Sequence, residues 1–314
     1  MTPPSHRQRL LGGLYGSLVG DALGVPVEFQ TRARRKEDPV TSMRAFGTWN
    51  QPAGTWSDDG ALLLCGVESL AESGFNTQDM GARFVRWLDE GHWTAHGKVF
   101  DIGNATHRAL DQIAQGTVAE QAGGRSESSN GNGSLMRILP VPLATLSAET
   151  EVFCDQIERA SAITHGHDRS KMACVLHGLM VRALMQGESP AAAHTRAATE
   201  FEKRYANHPE LSHFYLALGD DLATQPESAI RSSGYVLDTL SASLWCLLTS
   251  DGFSDCVLKA VNLGEDTDTT GCVASGLAGV VYGIEAIPQE WLTALPRQDD
   301  LRNLSQKLSS LMKT

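Results

Sequence analysis

Eight residues near the C-terminal end, Gly264-Glu265-Asp266-Thr267-Asp268-Thr269-Thr270-Gly271, carry three carboxylates and three hydroxyls. Two carboxylates about 4 Å apart repel by roughly 4 kcal/mol at an effective dielectric near 20. A fold that crowds them must offset that repulsion, and a divalent cation is the simplest means. A second cluster, Gly54-Thr55-Trp56-Ser57-Asp58-Asp59-Gly60, again joins a hydroxyl to adjacent carboxylates. Either cluster alone has a plain alternative: Ser or Asp at a helix N-cap accepts backbone N–H bonds, and acidic groups suit the first turn. Two such clusters in one chain favour metal. Hard cations such as Mg²⁺ or Mn²⁺ take oxygen ligands, and no soft Cys/His cluster competes. Asp58, Asp59, Asp266 and Asp268 carry the charge that balances two divalent ions, and a pair of ions can orient a substrate and activate a water.

Both clusters stand at the head of apolar helices. Val273, Leu277, Val280 and Val281 follow the first at i, i+4, i+7 and i+8, and Leu63, Val67, Leu70 and Ala71 follow the second. Helical stripes recur at Leu10/Leu14/Leu18, Met80/Phe84/Trp87, Phe153/Ile157/Ala160, Met172/Val175/Leu179, Leu237/Leu240/Leu244 and Leu301/Leu304/Leu308. Gly12, Gly13, Gly16 and Gly20 punctuate the first stripe and permit close backbone approach. Alternating runs of strand length are nearly absent, and no repeat of 20 to 50 residues is evident. The spacing predicts an all-α protein with a single domain over residues 1–314, because distant acidic clusters make most sense brought together. A loop is expected from about Asp21 to Gly54, with the basic run Arg32-Ala33-Arg34-Arg35-Lys36 solvated within it. Gly123 to Gly133 is either a linker or an ordered functional loop.

Composition narrows the function classes. The 314 residues are 41% hydrophobic and carry a net charge of −11. An acidic chain lacks the concentrated basic face that a nucleic-acid groove needs. Six dispersed cysteines without a C-x-x-C pair argue against a zinc site or a disulfide framework. The first residues contain no apolar signal core, and no run approaches 18 apolar residues. The expectation is a soluble, reduced, cytoplasmic protein with no membrane span.

Several segments, in order, resemble the ADP-ribosylglycohydrolase family: Gly16-Ser17-Leu18-Val19-Gly20-Asp21-Ala22-Leu23-Gly24, Ser57-Asp58-Asp59, Phe100-Asp101-Ile102-Gly103-Asn104-Ala105-Thr106, Gly131-Asn132-Gly133-Ser134-Leu135-Met136-Arg137, Thr164-His165 and Gly264-Glu265-Asp266-Thr267-Asp268-Thr269. They span residues 16 to about 283. The resemblance implies a compact orthogonal helical bundle holding two Mg²⁺ or Mn²⁺ ions, with ADP-ribose bound across them. Carried over by position, Ser57, Asp58, Asp59, Asp266, Asp268 and Thr269 would be the ligands. The family often has Thr at positions 57 and 60; Ser57 keeps the hydroxyl, and Gly60 removes one.

The same resemblance assigns further roles, each beside a structural alternative. Asp101 would approach the ribose as acid or base, or else be a turn residue before a helix near Asn104. Glu28 would face the substrate near the metals, or sit on a surface loop. Asp59 and Asp268 share in proton handling. Asn130, Gly131, Asn132, Gly133 and Ser134 form a loop whose free amides could cradle a diphosphate, or a flexible turn. His165 matches a substrate-site residue, and Tyr235 either lines the adenosine end or caps a helix. The reaction implied is hydrolysis of the bond between ADP-ribose and a modified protein side chain, arginine foremost. Hydrolysis of another ADP-ribose conjugate and non-catalytic ADP-ribose binding are the alternatives. Partner identity beyond an ADP-ribosylated protein, and oligomeric state, are not encoded in any motif.

Overall fold

The computed structural model describes residues 3–311, and helices account for every regular element among them. Eleven helices have ten residues or more, and the described residues form no strand, only three isolated bridges. One apolar core runs through the whole set, which agrees with the expected helical bundle.

The first helix, His6–Gly24, begins at a capping box in which Ser5 accepts from the Gln8 amide and the Gln8 side chain accepts from Ser5 N–H. It lies antiparallel on the Thr267–Tyr282 helix with almost no side chain between the two backbones. A Cβ on Gly12 would come within 2.1 Å of the Gly279 carbonyl oxygen, and one on Gly20 within 2.2 Å of that of Gly271. At the far end, a Cβ on Gly24 would strike the Asp268 backbone at 2.3 Å. Small residues on both helices are therefore a steric requirement. They draw the end of one helix onto the start of the other, where the acidic cluster lies.

The Asp58–Ser73 helix is tied to the same place by hydrogen bonds. Ser57 is its N-cap, accepting from the Asp59 amide. Asp21, on the last turn of His6–Gly24, accepts from the amides of Ser57 and Gly60 at 3.0 and 2.8 Å. Two donors that the helix start leaves unpaired are thus satisfied by a carboxylate from another helix.

Three sequence expectations are corrected. The first helix continues to Gly24, so Asp21 is helical and buried rather than part of a loop. The basic run is not a solvated loop: Arg32–Glu37 is a short helix, and Arg35 is buried. Arg32 donates to the carbonyls of Leu263, Glu227 and Ile230, so its fork satisfies backbone acceptors of a segment near the acidic cluster. One helix, His6–Val27 with its 3-10 extension, does meet the length and apolarity of a membrane span; the reason is its burial, 89% of the window lying inside the protein. The Gly123–Gly133 break is ordered. The Gly124 carbonyl accepts from Gly166, and the Gly123 amide donates to Ala162.

The helix crossing gives a direct test. Gly12→Ala is expected to lower stability by about 3 kcal/mol, since the clash is with backbone that cannot repack. Gly66→Ala, whose new methyl would meet only Pro140 at 3.9 Å, is expected to raise it by roughly 0.5–1 kcal/mol. Urea unfolding midpoints of the two variants would separate them.

Candidate active site

A cavity of about 510 Å³ opens where these helix ends meet. Glu28, Asp58, Asp59, Asp101, Asp266 and Thr269 line it, together with Gly131, Asn132, Gly133 and His165. The structure thus brings together residues separated by more than 200 positions. A larger hollow of about 790 Å³ shares none of these residues, and its charges neutralise one another, Arg204 pairing with Glu151 and Glu158.

The carboxylates are buried and incompletely partnered. Asp58, Asp59 and Asp268 are at most 5% exposed. Asp59 Oδ1 accepts from Thr269 Oγ1 at 3.4 Å, Asp268 Oδ1 accepts from the Thr269 amide at 2.8 Å, and Asp266 Oδ2 accepts from Asn132 at 2.9 Å. The second oxygens, Asp59 Oδ2, Asp266 Oδ1 and Asp268 Oδ2, are buried without any partner. Glu28, Asp266 and Asp268 also bring one carboxylate oxygen each within 4.8 Å of one another. Buried polar atoms are nearly always paired, and three unpartnered carboxyl oxygens on neighbouring residues suit a hard cation as ligands. Ser57 is buried beside them with its hydroxyl engaged as the cap.

Electrostatics agree. Burial, followed by the charge of Asp101, drives Asp58 well above the usual carboxylate range. Asp59 and Asp268 are raised likewise by burial, with Asp21 and Glu28 the respective leading charges. Burial raises Asp21 to about 7, against the pull of its Ser57 and Gly60 donors. Glu28 is pushed up to about 9 by burial and then by Asp101. Each group resists ionising without a counter-charge.

Asp101 sits at the mouth with φ of +58°, a left-handed conformation that is unfavourable for a side chain other than Gly, Asn or Asp. It lines the cavity with Glu28, and burial raises its carboxyl above the usual range. The Asn104–Ala114 helix starts three residues later, as the sequence indicated. Glu28 accepts from the Trp49 indole N–H, so it is pinned rather than free on the surface. Glu265 is exposed and its φ is +63°.

The substrate-side residues divide. Gly131, Asn132, Gly133 and His165 face the cavity. Asn130 and Ser134 do not line it. The Asn130 amide group donates to the Glu127 carbonyl and its Oδ1 accepts from Ser170, while Ser134 accepts from Ser161. One amide of the loop is already used, Asn132 N–H donating to the Gly234 carbonyl. Burial, then Arg137, lowers His165 to about 3, so it is a neutral imidazole, with Nδ1 2.9 Å from Thr164 Oγ1. His167 lies outside any helix interior and N-caps Asp168–Met185. Tyr235 precedes the Val236–Leu248 helix, and its hydroxyl accepts from Arg169.

Gly60 has no room for the threonine side chain common at that position. A Cβ there would lie 2.8 Å from Trp56 and 2.9 Å from Leu18. Sequence reading passed over three residues that shape the site. Asp21 supports the Asp58 helix start, Trp49 holds Glu28, and Arg169 joins Glu127, Glu210 and Tyr235. Only Asp21 left a usable signal, a lone acid at the end of an otherwise apolar helix.

A helical protein with these clustered oxygen donors at an open cavity has a site suited to hydrolytic chemistry on a polar ligand. The model described as ADP-ribosylglycohydrolase matches residues 2–314, and the chain belongs to the ADP-ribosylglycohydrolase family. It is 30% identical over 309 residues to the ADP-ribosylarginine hydrolase Tri1 of Pseudomonas putida (strain GB-1), covering 98% of this chain and 80% of that one. With the ADP-ribosyl-(dinitrogen reductase) glycohydrolase of Rhodospirillum rubrum it shares 32% identity over 316 residues, 99% of this chain and 98% of the other. A solved structure described as an ADP-ribosylglycohydrolase-related protein complex superposes with a TM-score of 0.83 at 32% identity, covering 98% and 99% of the two chains. The fold is that of the family, and its reaction class is ADP-ribosyl glycosidic hydrolysis.

The raised carboxyls make metal-free stability depend on pH. A buried acid whose folded pKa exceeds its unfolded value of about 4 binds its proton more tightly when folded, so stability falls as pH rises between the two values. For Asp21 the fall runs up to about pH 7 and for Glu28 up to about pH 9. In EDTA, the thermal midpoint is expected to drop by roughly 5–10 °C between pH 5 and pH 9. A flat or rising profile would contradict the buried, unpaired state of these groups.

Proposed function

We propose that this protein hydrolyses the glycosidic bond between ADP-ribose and an arginine side chain of a modified protein, using two Mg²⁺ or Mn²⁺ ions. The observation that carries the metal is the set of orphaned oxygens on Asp59, Asp266 and Asp268. The arginine linkage is supported by the names of the similar hydrolases from Pseudomonas putida and Serratia proteamaculans. Ser57, Asp58, Asp59, Asp266, Asp268 and Thr269 would hold the ions, which when bound supply Lewis acidity toward ribose hydroxyls and a water.

The chain's own groups do the remaining work. Glycosidic cleavage passes through an oxocarbenium-like state, and the departing nitrogen needs a proton. Asp101 and Glu28 line the cavity together, and burial with the charge of Asp101 raises Glu28, so that carboxyl can hold a proton and deliver it. Asp59 and Asp268 are almost fully buried and would share in proton handling as ligands beside the attacking water. The Gly131–Gly133 loop and neutral His165 present uncharged donors to the rest of ADP-ribose, so phosphate binding adds no buried cation.

Incubation with an ADP-ribosylarginine protein and Mg²⁺ or Mn²⁺, beside ADP-ribosylserine protein and with EDTA controls, should release free ADP-ribose from the arginine conjugate only when metal is present. Asp58→Asn/Asp268→Asn should lose more than about a hundred-fold in rate. Its metal-free thermal midpoint should equal or exceed that of the unaltered protein, because two repelling charges are gone. Full metal-dependent activity in that double variant would remove the two-ion assignment.

A further inference from the structure

The mouth of the cavity carries a feature that neither the metal cluster nor the hydrolytic step explains. Among the described residues, five large apolar side chains are left half exposed or more, and only one of them, Phe29 at 65%, lines the cavity. Its backbone is fixed from both sides, the Phe29 amide donating to Glu265 and the Glu265 amide to Gln30, each at 2.7 Å. It is held with φ of +63°, where a bulky aromatic residue is disfavoured. An exposed ring on a strained backbone does not serve the stability of the fold. Phe46 is likewise exposed at a positive φ, and what sets Phe29 apart is that its ring lines the cavity, where an entering ligand can meet it.

Phe29 is one end of a series. Its ring meets Trp49 edge-on at 6.2 Å between centroids, and Trp49 meets Phe100 at 5.6 Å. Carboxylates are interleaved with these rings: Glu28 precedes Phe29 and binds the Trp49 indole, and Asp101 follows Phe100. A planar cation matches that alternation, because ring faces attract positive charge and carboxylates bind a guanidinium through paired N–H donors. We propose that Phe29, braced by Trp49 and through it Phe100, which do not themselves line the cavity, forms the subsite for the leaving group, receiving the guanidinium of the modified arginine and selecting it over uncharged linkages. This rests on the arginine reading above. Within it, Phe29 is a specificity-determining residue, and the metal and phosphate contacts are the same for every linkage.

The test measures binding without turnover. With the metal-loaded protein saturated by ADP-ribose, agmatine serves as a small guanidinium probe in calorimetric titration. Phe29→Leu, which keeps apolar bulk but loses the ring, should weaken agmatine binding about three- to five-fold, and Phe29→Tyr should restore it. The dissociation constant for ADP-ribose should stay within about two-fold throughout, since its contacts lie elsewhere. Agmatine binding that is undetectable in the unaltered protein, equal in Phe29→Leu, or lost in parallel with ADP-ribose binding would overturn the proposal. Failure of the arginine reading shows separately, as absent hydrolysis of the arginine conjugate by the unaltered protein whatever agmatine does.

Discussion

The backbone contact between His6–Gly24 and Thr267–Tyr282 governs where Asp21, Asp58, Asp59, Asp266 and Asp268 end up. Glycines on both helices remove the side-chain layer that normally keeps helix axes 8–10 Å apart. The ends of the two helices therefore interlock, Gly24 against Asp268, and no sliding is tolerated because the contacts are between main-chain atoms. Asp21 follows from this placement, as does the Asp58–Ser73 helix that Asp21 captures through the amides of Ser57 and Gly60. A rigid, apolar crossing thus determines the geometry of a polar, electrostatically unfavourable cluster.

That separation of roles explains how the chain accommodates a site that works against its own stability. Buried carboxylates with unpartnered oxygens oppose folding. The crossing and the surrounding core hold them regardless, and a bound cation would convert the same oxygens from a burden into ligands. Three of the seven non-glycine residues with positive φ, Phe29, Asp101 and Glu265, belong to the segments that meet at the cavity.

Much of this was legible in the residues themselves. The hydroxyl-carboxylate clusters, their helix starts and the helical class follow from local pattern, because period and capping are short-range properties. Gly12, Gly16 and Gly20 signalled close approach but not the partner, since the matching small residues on Thr267–Tyr282 lie some 250 positions away. The 21–54 region misled for a related reason. Arg32 and Arg35 look like solvent-facing charges until the carbonyls and side chains they serve are supplied by the fold. Within 130–134, only the tertiary arrangement decides which residues turn toward ligand: Asn132 reaches Asp266, whereas Asn130 and Ser134 are consumed by neighbours.

The captured position of Asp21 has one more consequence. A helix start with free amides is a ready receptor for phosphate, and the Asp58–Ser73 helix begins beside the cavity. Its first donors are already occupied by an anion of the protein's own making. That helix start is therefore no free receptor for an incoming phosphate, because Asp21 already accepts from the Ser57 and Gly60 amides. The internal carboxyl occupies the place an external anion would otherwise take, and so the chain itself seals that helix start.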